Sequence, residues 1–221
     1  MKTAKQRRIE SITRLKSENV PYFEQLPYLS DASQVKRRSV ENIAKRAVTS
    51  LASIIMALSI DRGEYEETLE AIDAFIDKFG VRNKLTKQEK KILKNKATKQ
   101  DIINATWKFE SYWALVWALG FVDELKFPDT IIDIDVAISI VTQFNSMDEL
   151  VAATKLRDVE QILDEADLIY RYHWACVDAR INGRQAPQGL DESVVKERRA
   201  GLWWLVDMDE EDDWDNVAMD T

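Results

Sequence analysis

The chain is short of the residues that most often mark a site. It has one cysteine, one histidine, four prolines and six glycines in 221 residues. The lone Cys176 excludes an intramolecular disulfide framework and suits a reducing compartment. One cysteine and one histidine cannot build a zinc site of the common types, so no metal is expected. No glycine-rich phosphate loop is present, and no cofactor is expected either. The basic start Met1-Lys-Thr-Ala-Lys-Gln-Arg-Arg8 is not followed by the apolar core of a signal peptide. The longest apolar run, Leu51 to Ile60, holds two serines and is far short of the ~20 residues that span a bilayer. These absences predict a cytoplasmic protein with no membrane segment.

Few glycines and prolines also favour long helices over strands and turns. Helical periodicity with start signals runs almost end to end. A first helix is expected over 3–18, with Ile9, Ile12 and Leu15 on its inner side. A long one should start after Ser39 and reach about Ile60, and another should run from Tyr65 to Lys78 and stop at Gly80. Thr86-Lys-Gln-Glu89, Thr98-Lys-Gln-Asp101 and Ser146-Met-Asp-Glu149 read as capping boxes. The second opens a helix that Gly120 ends. Short helices over 135–144 and after Ser146 precede a long one over 158–182, and the last ends near Val206. The prediction is an all-α protein: one domain over residues 1–221, with about eight to nine helices around a central tryptophan-rich helix.

The net charge of −8 is unevenly placed. Residues 207–221 carry eight acids and no base, while the remainder balances 31 acids against 31 bases. The first 46 residues hold eleven bases and five acids. No recognition signature accompanies these bases, so nucleic acid is not an expected partner. The run Asp207 to Asp215 alternates superficially like a calcium loop but lacks the glycine that its turn requires.

The stretch with most chemical content is Trp107 to Gly120. Nine of the eleven residues from Phe109 to Leu119 are apolar and point all round a helix, the pattern of a buried element. Glu110 nevertheless shares a strip with Trp107, Trp113 and Trp117. A carboxylate there must find a partner or open onto a pocket. His173 falls in the middle of the apolar face of the 158–182 helix, with Arg180 near its edge. Arg198 sits among Val194, Val195, Leu202 and Leu205. Mutual contact of Glu110, His173, Arg180 and Arg198 is the economical expectation, because buried charges are rarely left unpaired. Such a cluster either fixes helix register, or lines a tryptophan-walled pocket for a small anionic or polar ligand, or supplies a general acid or base.

The residues Ile43-Ala-Lys-Arg-Ala47, Trp107-Lys-Phe-Glu110, Leu115-Val-Trp-Ala-Leu-Gly120, Tyr170-Arg-Tyr-His-Trp-Ala-Cys-Val-Asp-Ala-Arg180 and Val195-Lys-Glu-Arg198 carry a resemblance. With Trp204-Leu205 and Trp214-Asp-Asn-Val-Ala-Met-Asp-Thr221, they resemble the bacterial domain-of-unknown-function family 4272 from about Arg38 onward. Trp203 and Met219 depart from that pattern, which has a smaller polar residue and a threonine there. The resemblance implies no activity, but it implies an ordered C-terminal segment. Trp214 gives a physical reason, since a large aromatic in an acidic run gains most by docking on the core.

Two functions fit this reading. One is a non-catalytic binding module whose acidic C-terminal surface meets a basic protein. The other is a small-molecule enzyme or sensor using the pocket at Glu110. No catalytic residue is marked.

Overall fold

Helix starts follow capping chemistry written in the sequence. The computed structural model describes residues 2–36, 38–206 and 214–219. Thr3 caps α1 (Ala4–Ser17) and Ser39 caps α2 (Val40–Arg62), which is followed by α3 (Tyr65–Phe79). Thr86 caps α4 (Lys87–Leu93), and Thr98 caps α5 (Lys99–Trp107), each within a closed capping box. Next come α6 (Phe109–Ala118), α7 (Ile134–Thr142) and α8 (Met147–Ala152). Asp158 and Gln161 close a box ahead of α9 (Val159–Ile181), and α10 is Glu192–Val206. At Ser146 the box stays half open, because the Glu149 carboxylate turns to the amide of Asn145. Two thirds of the described residues are helical and none is in a strand.

Two expectations need correction. The helix expected from Thr98 to Leu119 breaks at Lys108, so that one expected helix is two, α5 and α6. The amide of Lys108 turns back to the Ala105 carbonyl, and Tyr112 resumes the ladder by bonding to the Lys108 carbonyl. The Lys108 ammonium meanwhile donates to the Trp214 carbonyl at 3.1 Å. The burial is also unevenly shared. In α6 nine of ten residues are buried, but in α5 only Ala105 is. Trp117 is buried, whereas Trp107 and Trp113 are half-buried. The core is centred as much on α2, where fourteen of 23 residues are buried, as on the tryptophan-bearing helix.

Around this pair, α10 packs against both α6 and α9, while α2 meets α3, α4, α5 and α6. The α6–α10 crossing is close because of Gly201. A Cβ there would stand 2.5 Å from the Ser111 carbonyl oxygen and 2.9 Å from Ala114 Cβ. The Ser111 hydroxyl uses this proximity to donate to the Glu197 carbonyl at 2.7 Å. By length and composition α2 could cross a membrane, but 78% of its most apolar window is buried inside the fold.

Residues 214–219 touch the body of the fold through Trp214 and Asp215. Trp214 is 1% exposed and meets Trp204 edge-on, with centroids 5.4 Å apart at 85°. Asp215 accepts from the Thr86 hydroxyl at 2.8 Å and the Gln88 amide at 3.2 Å, so it joins the start of α4, where its charge also acts on Lys108. The other seven acids of the expected acidic surface, Asp207 to Asp213 and Asp220, lie outside the described residues.

Candidate functional site

α6 presents Glu110 toward α10 at 2% exposure, where a carboxylate must be paired. One of its oxygens accepts from Arg198 at 2.9 Å, and the other from the Ile132 amide at 2.8 Å. Arg198 also donates to the Lys126 carbonyl at 2.6 Å. The expected contact between Glu110 and α10 is therefore present. Both carboxylate oxygens are engaged, and the partners hold the 126–132 connector against the helices.

His173 and Arg180 do not join this pair. His173 Nδ1 lies 2.5 Å from Arg199, the neighbour of the arginine expected to meet it. Because guanidinium only donates, Nδ1 must accept, which places the imidazole proton on Nε2. Burial, followed by the charge of Arg199, pushes the His173 pKa down to about 4. The Arg199 guanidinium also lies 4.7 Å from the Tyr170 ring centre and 4.6 Å from that of Trp203, and it reaches the Met219 carbonyl at 3.3 Å. Trp203 and the Met219 backbone thus both meet Arg199. Arg180 is 61% exposed and pairs with Glu192 at 2.9 Å, because α9 outruns the helices that would cover its last turn. Cys176, one turn from His173, is buried, and its thiol is pushed up to about 12 by burial and then by Glu192 and Asp191. It stays protonated.

Further buried cations escaped sequence reasoning, among them three that meet carboxylates. Arg46 meets Glu89 at 2.8 Å, Arg7 meets Glu160 at 2.7 Å and Asp164 at 2.9 Å, and Arg171 grips Asp167 with two bonds of 2.8 Å. Only the last had a local signal, the i,i+4 spacing on one helix. Among the described residues no group of three or more His, Cys, Asp or Glu could hold a metal ion.

A cavity of about 230 Å³ opens beside Glu110, lined by Leu58, Trp107, Phe109, Ile131, Ile132 and Ile134. Trp107 is thus the wall that was expected, but Trp113 and Trp117 do not line it. Trp117 instead lies 4.6 Å beneath the guanidinium of Arg157. The pocket is apolar in character, since the one acid in it has no oxygen to spare. Ile131 stands 54% exposed at its lining, and Asp129 and Asp133 on the same connector and Asp135 in the first turn of α7 are exposed.

No curated protein and no solved structure matches the chain. A family model described as Domain of unknown function (DUF4272) matches residues 7–217. That match spans every element described above apart from the first three residues of α1, and it takes in both Arg199 and Trp214. The chain belongs to the DUF4272 family.

Proposed function

We propose that the protein is a non-catalytic binding module of the bacterial cytoplasm, whose apolar pocket takes one large side chain from a basic partner protein. The pocket carries this reading. Its 230 Å³ exceeds the ~150 Å³ engineered cavity that admits benzene, and its walls offer apolar contact from Leu58, Trp107 and three isoleucines. Exposed Asp129, Asp133 and Asp135 alternate with those isoleucines, so an apolar side chain flanked by lysine or arginine is matched in both shape and charge. The engaged oxygens of Glu110 and the accepting Nδ1 of His173 favour binding over acid–base chemistry. The surplus acid of residues 207–221 would add to the attraction for a basic partner.

The test uses a short lysine-rich peptide bearing one phenylalanine, titrated while the Ile131 methyl resonances are followed. Saturable binding is expected, with loss on replacing the peptide phenylalanine by alanine or on making Ile131→Lys. Ile131→Lys should leave the melting temperature nearly unchanged, since that side chain is already half in water. A peptide that binds equally well without its phenylalanine, or no binding at all, would sink the reading.

A further inference from the structure

α1 packs against α9. Arg7, Ser11 and Arg14 lie on one face of α1, since residues three and four apart stack on the same side of a helix. With Glu10, and with Asp164, Glu165 and Leu168 of α9, they line a groove of about 160 Å³. Some of these charges are settled within the protein. Asp164 takes Lys2 at 2.7 Å and Arg7 at 2.9 Å, Arg7 also takes Glu160, and Glu10 takes Lys2.

Three groups along the groove are not settled. A hydroxyl inside a helix commonly bonds back to a carbonyl of the preceding turn, as Thr13 and Ser17 of α1 do at 2.7 Å. Ser11 makes no such bond and has no partner among the described residues, although it is only 6% exposed. Glu165 is half-buried, and among the described residues its carboxylate accepts no hydrogen bond and forms no ion pair. Neither the Ser11 hydroxyl nor the Glu165 carboxylate is sealed from solvent, so an occupant of the groove can reach both. Arg14 spends its Nε on Glu18 at 3.0 Å, and its two terminal nitrogens make no hydrogen bond among the described residues. Arg14 and Glu165, on opposite helices, attract each other without forming an ion pair. Buried polar groups are rarely left so without a ligand or ordered water.

We propose that this groove binds a small α-amino acid, its ammonium held by Glu165 and the Ser11 hydroxyl and its carboxylate by the terminal nitrogens of Arg14. An anion alone would leave Glu165 unmatched, and a cation alone would leave Arg14 so. A zwitterion answers both, and the guanidinium fork suits a carboxylate in particular. Burial pushes the Glu165 pKa up, with Arg14 and then Arg198 pulling the other way, in keeping with a carboxylate short of donors. The space suffices for alanine, which is no bulkier than the benzene that a cavity of ~150 Å³ admits, and Leu168 offers its methyl an apolar contact. This groove shares no lining residue with the apolar pocket beside Glu110.

Alanine is the probe, with ethylamine and propionate as comparators that each lack one of its charges, measured by isothermal titration and by backbone amide shifts. Alanine is expected to bind saturably and raise the melting temperature. Each comparator should bind about tenfold or more weakly, as befits loss of a charged hydrogen bond. Glu165→Gln should abolish binding, Arg14→Gln should weaken it about tenfold or more, and Ser11→Ala about tenfold. Without alanine, Glu165→Gln should melt no lower than the native protein, because its carboxylate makes no bond to lose. Arg14→Gln should also stay folded, since a partly exposed pair such as Arg14–Glu18 contributes little. Ile131→Lys should bind alanine normally, which separates this site from the apolar one. Absence of saturable binding would mean that only water fills the groove, and the proposal would fall. It would fall equally if ethylamine or propionate bound as well as alanine, or if the shifts mapped away from Ser11 and Glu165.

Discussion

Glu110 and Arg198 meet at 2.9 Å with side chains only 2% and 4% exposed, so neither charge has water to fall back on. Removing one member of a buried pair strands the other and typically costs ~3–5 kcal/mol. Glu110→Gln should therefore lower stability by roughly that amount in a denaturant titration. The double change Glu110→Leu with Arg198→Met should cost less than the two single changes added together. Strict additivity in this cycle would show that the two side chains do not depend on each other.

Trp214→Ala tests the docked segment. The ring is 1% exposed, rests on Trp204 and lies 5.0 Å from the Lys108 ammonium. Truncating a buried tryptophan generally costs ~3–5 kcal/mol, and a loss of that size is expected here. Deleting residues 207–221 should cost at least as much. A melting curve unchanged by either would mean that the segment contributes nothing to the folded state.

Gly201→Ala sets two effects against each other. Helix propensity favours alanine by about 1 kcal/mol. The new methyl, however, would stand 2.5 Å from a backbone carbonyl that cannot move without shifting α6. Overpacking of this kind costs ~1–3 kcal/mol, so net destabilisation is expected. A more stable variant would show that the helices can separate freely.

Acid should weaken the fold through His173. Its pKa is about 4 when folded, against 6.5 ordinarily, so the unfolded chain binds more protons between those values. Stability then rises with pH in that window. The contribution is intact above about pH 6.5, shrinks as pH falls toward 4 and is lost below it. His173→Gln should remove this component, narrowing the gap to the native protein as the pH is lowered. Parallel pH–stability curves for the two proteins would contradict the assignment.

What the sequence made legible was local. The boxes at Thr86 and Thr98 depend on four consecutive residues each, and both close as written. The inward turn of Glu110 and Arg198 follows from helical phase, which needs only a few turns of chain. The break at Lys108 was invisible because no glycine or proline marks it, so helical phase reads straight through. Phase also could not tell which arginine His173 would meet. α10 is packed on two sides, so adjacent Arg198 and Arg199 are both buried yet face α6 and α9 respectively. Arg180 and Ile181 sit on the correct face of α9 but past the end of what covers it. Periodicity describes a face and says nothing of how far its neighbour extends.

The docking of Trp214 has a consequence for synthesis. By the time Val206 has been made, every helix of the core exists, yet the edge formed by Trp204, Arg46 and Lys108 lacks its cover. Translation adds about 5–20 residues per second, so this aromatic edge stays open to passing chaperones and neighbouring chains until residue 214 emerges.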